Sequence, residues 1–156
     1  MTTTATPDIG QTVPDWRLRG PGGQRVSLSE YRGKKNVVVV FFPLAFSPAC
    51  SHQLADIGKE MRRFEALDAV VLGVSVDSHF ANQAFARSLG ISFPLLSDFD
   101  RAASQAWGVL IPEKLHSGRA VFVVDKQGRL AYRDVSPTPA EIPSNTAVLA
   151  ALERLV

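Results

Sequence analysis

Two runs of β-branched and aromatic residues, 36–42 (Asn-Val-Val-Val-Val-Phe-Phe) and 70–76 (Val-Val-Leu-Gly-Val-Ser-Val), show no polar alternation. A strand with one wet face alternates apolar and polar residues, so unbroken runs of this length belong to strands covered on both faces. Between them, Leu54, Ile57, Met61 and Phe64 recur at helical spacing with Lys59, Arg62 and Arg63 interposed. That spacing predicts an amphipathic helix over 48–67, weakened or bent at Gly58. After the second run, Asp77 or Ser78 caps a helix that ends near Gly90. Strand, helix, strand, helix is a βαβ pattern, which favours parallel pairing with right-handed crossovers. Further on, residues 97–100 offer an N-cap for a short helix through Trp107. Residues 119–125 and 130–133 flank Lys126-Gln127-Gly128 as a hairpin, and Ser144 or Asn145 caps a last helix to Leu155.

A chain of 156 residues, 46% of them hydrophobic, buries a full core without disulfide or metal staples. One domain over 9–156 is expected behind a flexible polar tail over 1–8. The net charge is +2 and the basic residues are scattered, with no stripe of Lys or Arg and interleaved aromatics. That distribution argues against a nucleic-acid partner. No apolar stretch approaches the roughly 18 residues of a membrane span, and the first residues lack the basic and apolar regions of a leader. One cysteine draws no disulfide framework, so a reducing cytoplasm is the expected setting and no membrane partner is expected.

That cysteine, Cys50, closes the segment Pro43-Leu44-Ala45-Phe46-Ser47-Pro48-Ala49-Cys50, where a buried strand exits towards a helix. Ser47 and Pro48 have the form of an N-cap residue and a first-turn proline, which puts Cys50 at the third helical position. A free thiol titrates near about 8.5, and helix N-termini and nearby cations lower that value by units. Desolvation by Phe42, Leu44 and Phe46 opposes the effect.

The spacing Pro-x-x-x-Ser-x-x-Cys over 43–50 resembles the active-site motif of the peroxiredoxins, Pro-x-x-x-Thr/Ser-x-x-Cys. The likeness extends to residues 10–18, 93–98 and 119–125, and residues 42–46 are most similar to the one-cysteine, alkyl hydroperoxide reductase E type. The resemblance implies a thioredoxin-like α/β fold, a central mixed β-sheet flanked by helices. It also implies a thiol-dependent peroxidase in which Cys50 attacks a hydroperoxide substrate and becomes a sulfenic acid. Ser47 would bond the sulfur and the peroxide, Arg119 would stabilise thiolate and transition state, and Pro43 would shield the sulfenic acid. No cofactor is implied. Serine stands where threonine is usual, and Gln53 stands where many members carry glutamate, so neither a carboxylate role nor a contact with Arg119 carries over to that position. Without a second cysteine the sulfenic acid needs an external thiol reductant: mycothiol with a glutaredoxin-like protein, or thioredoxin. A homodimer is implied by the same resemblance.

Against these readings stand plainer ones. A lone cysteine is often a buried, inert hydrophobe; Ser47 serves equally as a simple cap; Arg119 at a strand start serves as a solvated edge or an ion pair. His52, His79 and His116 have no metal-ligand spacing, and Trp107 reads as packing, with a subunit interface as the alternative. Two other functions share the residues. A thiol-disulfide oxidoreductase would need a Cys-x-x-Cys pair that the chain lacks. A redox-sensing or holdase-like binding protein would use oxidation of Cys50 to alter assembly.

Overall fold

The computed structural model describes residues 5–156. In chain order its elements are β1 (Arg17–Arg19), β2 (Arg25–Ser27), β3 (Asn36–Phe41), α1 (Pro48–Lys59), α2 (Met61–Ala66), β4 (Ala69–Ser75) and α3 (His79–Leu89). There follow β5 (Leu95–Ser97), α4 (Ala102–Ala106), β6 (Leu110–Ile111), β7 (His116–Ser117), β8 (Ala120–Val124), β9 (Leu130–Val135) and α5 (Asn145–Glu153). Seven strands form one sheet in the order β2-β1-β5-β4-β3-β8-β9. The apolar runs pair in parallel, β3 on β4 and β4 on β5, as the βαβ pattern requires. The later hairpin adds β8 antiparallel to β3 and β9 antiparallel to β8, so the sheet is mixed.

Every residue of β3 is buried because the sheet carries a core on each face. Successive side chains point to opposite faces, so Val38, Val40 and Phe42 enter one cluster with Cys50, Leu54, Phe64, Phe85 and Leu149, from α1, α2, α3 and α5. Val37, Val39 and Phe41 enter the other with Trp16, Ala103, Trp107 and Phe122. Trp107 is fully buried there, its ring centroid 5.1 Å from Phe122 and 5.3 Å from Trp16, and its Nε1 donates to the Pro14 carbonyl at 3.1 Å. It packs the interior, as its sequence context suggested.

The helix expected over 48–67 is two helices. The break falls at Glu60 (φ −102°, ψ 7°), not at Gly58. Gly58 is instead a packing position: a Cβ there would stand 2.9 Å from Cγ2 of Ile91. Of the two candidate caps for α3, Ser78 takes the role by accepting from the Ala81 amide at 3.1 Å, and Gly90 ends the helix at φ 65°. The short helix after 97–100 starts differently from expectation, because Arg101 (φ 67°) holds the cap position. Buried Asp98 still serves that first turn, accepting from the amides of Ala103 (2.9 Å) and Ser104 (2.7 Å), and burial pushes its carboxyl above the usual range. Ser144 caps α5. Residues 1–4 of the expected tail lie outside the described residues; Arg133 Nη1 donates to the Pro7 carbonyl at 2.6 Å. No helix among the described residues is long and apolar enough to cross a membrane.

Trp107→Ala empties a site closed on all sides and lowers unfolding free energy in urea by about 3–5 kcal/mol, with Trp107→Phe losing less. Asp68, at the entrance to β4, lies 2.8 Å from Lys35 Nζ and bonds Lys126 Nζ as well, and these ammonium groups hold its carboxyl down to about 2. Its folded value lies below the ordinary one, so its contribution is present above pH 3.8 and is lost as pH falls through about 2. The stability difference between wild type and Asp68→Asn therefore shrinks over that window, and shrinks at neutral pH when salt is raised.

Candidate active site

Strand register brings the site together. Phe41, the last residue of β3, lies opposite Ala120, the first of antiparallel β8. The chain leaving β3 and the residue entering β8 therefore meet at one end of the sheet, which places Arg119 beside the segment 43–50. Cys50 sits at the third position of α1 as the sequence indicated, and Ser47 and Pro48 occupy the cap and first-turn positions. Ser47 does not cap through its side chain. Its hydroxyl donates to the Leu44 carbonyl at 3.0 Å, and the first α1 amide to find an acceptor is that of Ser51, on Ser47 O at 2.9 Å. The positive end of α1 is thus left open next to the sulfur.

Cys50 is 0% exposed and Arg119 is 2% exposed. The guanidinium donates through Nη2 to Cys50 Sγ at 3.4 Å, through Nη1 to Gln53 Oε1 at 2.6 Å and through Nε to the Pro139 carbonyl at 2.9 Å. Among the described residues it has no carboxylate partner. A buried charge is costly unless an anion or a full set of hydrogen bonds compensates it. Among the described residues, the one ionisable group in hydrogen-bond reach is the Cys50 sulfur.

Pro43, Ser47, Pro48, His116, Arg119 and Pro139 line an open cavity of about 420 Å³. Three residues singled out in the sequence, Pro43, Ser47 and Arg119, therefore share one cavity; Cys50 is fully buried and does not itself line it, but is tied to it by Arg119, and Ser47 directs its proton to Leu44 rather than to sulfur. Of the three side chains expected to desolvate the thiol, Phe42 is fully buried in the same cluster, while Leu44 and Phe46 are exposed.

Gln53 is a correction. Contact with Arg119 was not expected once the carboxylate was gone, yet the neutral amide oxygen makes the shortest of the three guanidinium bonds. The signal was its spacing, three residues beyond Cys50 on the same helical face. Gln53 Nε2 is buried without a partner, the cost of turning the oxygen towards Arg119. Pro139, from the segment before α5, carried no sequence signal because it contributes only a carbonyl. His52 pairs with Asp56 across one turn at 3.2 Å and points away from this chemistry.

Residues 9–133 match the model of the AhpC/TSA family. The chain belongs to this family, the peroxiredoxins. It is 39% identical over 150 residues to alkyl hydroperoxide reductase E of Mycobacterium tuberculosis, covering 93% of this chain and 97% of that protein. It is 35% identical over 131 residues to peroxiredoxin Bcp of Bacillus subtilis, covering 80% and 83%. The solved structure of Mycobacterium tuberculosis AhpC matches with a TM-score of 0.86 at 30% identity, over 96% of this chain and 93% of that one. The mixed sheet and its helices are thus a thioredoxin-like α/β fold, and the enzyme class is the thiol-dependent peroxidases.

Replacing Arg119 removes the donor nearest the sulfur, and Arg119→Met lowers the second-order rate of Cys50 oxidation by hydrogen peroxide roughly 10²- to 10³-fold. Gln53→Leu keeps the charge but frees one guanidinium nitrogen, and slows the same reaction less, about tenfold. Stopped-flow mixing with quenching and mass analysis of Cys50 reads both.

Proposed function

We propose that the chain reduces hydroperoxides by a one-cysteine mechanism. The observation that carries this reading is the buried 3.4 Å contact between Arg119 and Cys50 Sγ, with no carboxylate on the guanidinium among the described residues. In the reaction the sulfur of Cys50, as thiolate, attacks the terminal oxygen of the hydroperoxide along the O–O axis. The S–O bond forms as the O–O bond breaks; sulfur loses two electrons, and the leaving oxygen gains them, takes a proton and departs as water or an alcohol. Negative charge builds on that leaving oxygen, where preorganised donors are worth most. Arg119 and the open amides at the start of α1 supply donors, and the Ser47 hydroxyl exchanges its bond to Leu44 O for one to the peroxide. Pro43, buried at the cavity wall, limits the access of water to the sulfenic acid.

The product is Cys50 sulfenic acid, and the chain has no second cysteine to resolve it. An external thiol condenses with it, releasing water and forming a mixed disulfide, and a second thiol then frees Cys50. A low-molecular-weight thiol such as mycothiol with a glutaredoxin-like protein, or a thioredoxin, fills this role in a reducing cytoplasm. The likeness to alkyl hydroperoxide reductase E, which covers 97% of that protein, supports the hydroperoxide-reducing activity; the single cysteine supports the one-cysteine route, and a homodimer is proposed as the assembly.

Mass analysis tests the first half-reaction more directly than fluorescence, because Trp16 and Trp107 lie in the core across the sheet from Cys50. Reduced protein treated with one equivalent of hydrogen peroxide gains one oxygen at Cys50, trapped by dimedone, and consumes the peroxide orders of magnitude faster than a free thiol. Cys50→Ser does neither. A wild-type rate no better than that of a free thiol rejects the proposal.

A further inference from the structure

Asp77 follows the end of β4 and is not needed as a helix cap, since Ser78 caps α3. Its carboxylate turns elsewhere. Oδ2 accepts the backbone amide of Ala45 at 2.8 Å, across 32 residues of sequence, and stands 2.8 Å from the Ser75 hydroxyl. The residue itself is pinned: its carbonyl accepts from Ser97 Oγ at 2.6 Å and its amide donates to Ser75 Oγ at 3.3 Å. Ser75 is in turn 3.1 Å from Oδ1 of Asn82, a buried residue of α3 whose Nδ2 donates to Leu96 O at 3.2 Å. β4, β5 and α3 together form a rigid base for one carboxylate oxygen.

What that oxygen holds is the turn from which the active-site helix starts. Ser47 N lies 3.4 Å from Leu44 O, so 44–47 closes as a turn with Ala45 and Phe46 at its centre. Phe46 stands at φ 68°, a conformation that favours glycine or asparagine at that turn position. A side chain there is strained, and the turn needs outside support to keep its shape. Two supports are present: the Phe46 ring against Phe85 of α3 at 5.0 Å, and the Asp77 carboxylate on the amide just before it. Both reach the turn because β3 and β4 are parallel neighbours, Phe41 opposite Val74, and leave the sheet at the same end.

We propose that Asp77 is a positioning residue for the Cys50 reaction, holding the strained 44–47 turn through the Ala45 amide so that Ser47, on the wall of the cavity, and the first turn of α1 keep their places relative to Cys50. The inference rests on the peroxidase reading for its kinetic consequence. Asp77 touches neither substrate nor sulfur, and an acceptor oxygen is what the position requires.

The test compares wild type, Asp77→Asn, which keeps an acceptor oxygen, and Asp77→Ala, which does not. Three quantities are read: the rate of Cys50 oxidation by hydrogen peroxide, the rate of Cys50 alkylation by iodoacetamide, and hydrogen exchange at the Ala45 amide. Asp77→Ala slows peroxide oxidation roughly 10- to 100-fold while Asp77→Asn stays within about threefold of wild type. Alkylation needs the sulfur but not a placed Ser47, so it is undiminished in both. The Ala45 amide loses protection only in Asp77→Ala. An unchanged peroxide rate in Asp77→Ala, a loss in Asp77→Asn as deep as in Asp77→Ala, or a parallel fall of oxidation and alkylation overturns the proposal. Should Asp77→Ala fail to fold, Asp77→Ser, too short to reach Ala45, takes its place in the same three measurements. A wild type that is slow with peroxide rejects the peroxidase reading alone. Hydrogen exchange then decides the clamp, supported if Ala45 is unprotected only without the acceptor and overturned if protection is unchanged.

Discussion

Arg119 carries a positive charge into an almost fully buried place at the wall of the cavity, and the surrounding chain is arranged to make that tolerable. At 2% exposure the guanidinium is satisfied by a side-chain amide, a carbonyl and a sulfur, with no carboxylate partner among the described residues. A carboxylate in that place would join the guanidinium in a buried ion pair. Gln53 bonds the cation without neutralising it, at the expense of its own orphaned Nε2. The charge remains available to whatever anion forms at Cys50.

The sheet makes this arrangement possible. β3 is buried on both faces, and its two alternating sets of side chains seed two cores, so its end is among the most constrained points in the molecule. Parallel β4 leaves the sheet beside it and antiparallel β8 enters there. Three pieces of chain far apart in sequence, 43–50, Asp77 and Arg119, thus converge at one end of the sheet, beyond the carboxyl ends of β3 and β4, the usual location of sites in folds with parallel strands. Phe46 shows the strain this convergence demands, held where a residue with a side chain is costly.

Much of this was legible from residue patterns. The unbroken valine runs specified buried parallel strands, because only a doubly covered strand lacks polar alternation. The Ser47-Pro48 pair specified where α1 starts, because proline has no amide to lose there. Local patterns misjudged what depends on distant neighbours. Gly58 looked like a weak point in a helix and is a contact for Ile91; the break two residues later, at Glu60, has no comparable mark in the sequence. Asp77 and Ser78 were equivalent as caps on paper, since both carry an oxygen at the right spacing.

While Arg119 entered only through the family resemblance, the sequence by itself determined the βαβ core, the one cysteine at a helix start and, through motif spacing, the company of Pro43 and Ser47. These are local or periodic properties, set by burial patterns and capping chemistry over a few residues. Only the tertiary structure decided that Gln53 faces Arg119, that Pro139 supplies a carbonyl, that Ser47 bonds back to Leu44, and that Asp77 holds Ala45. Each is a hydrogen bond whose partner is chosen by strand register and helix docking, and several candidates of equal local merit compete until those fix which atoms meet.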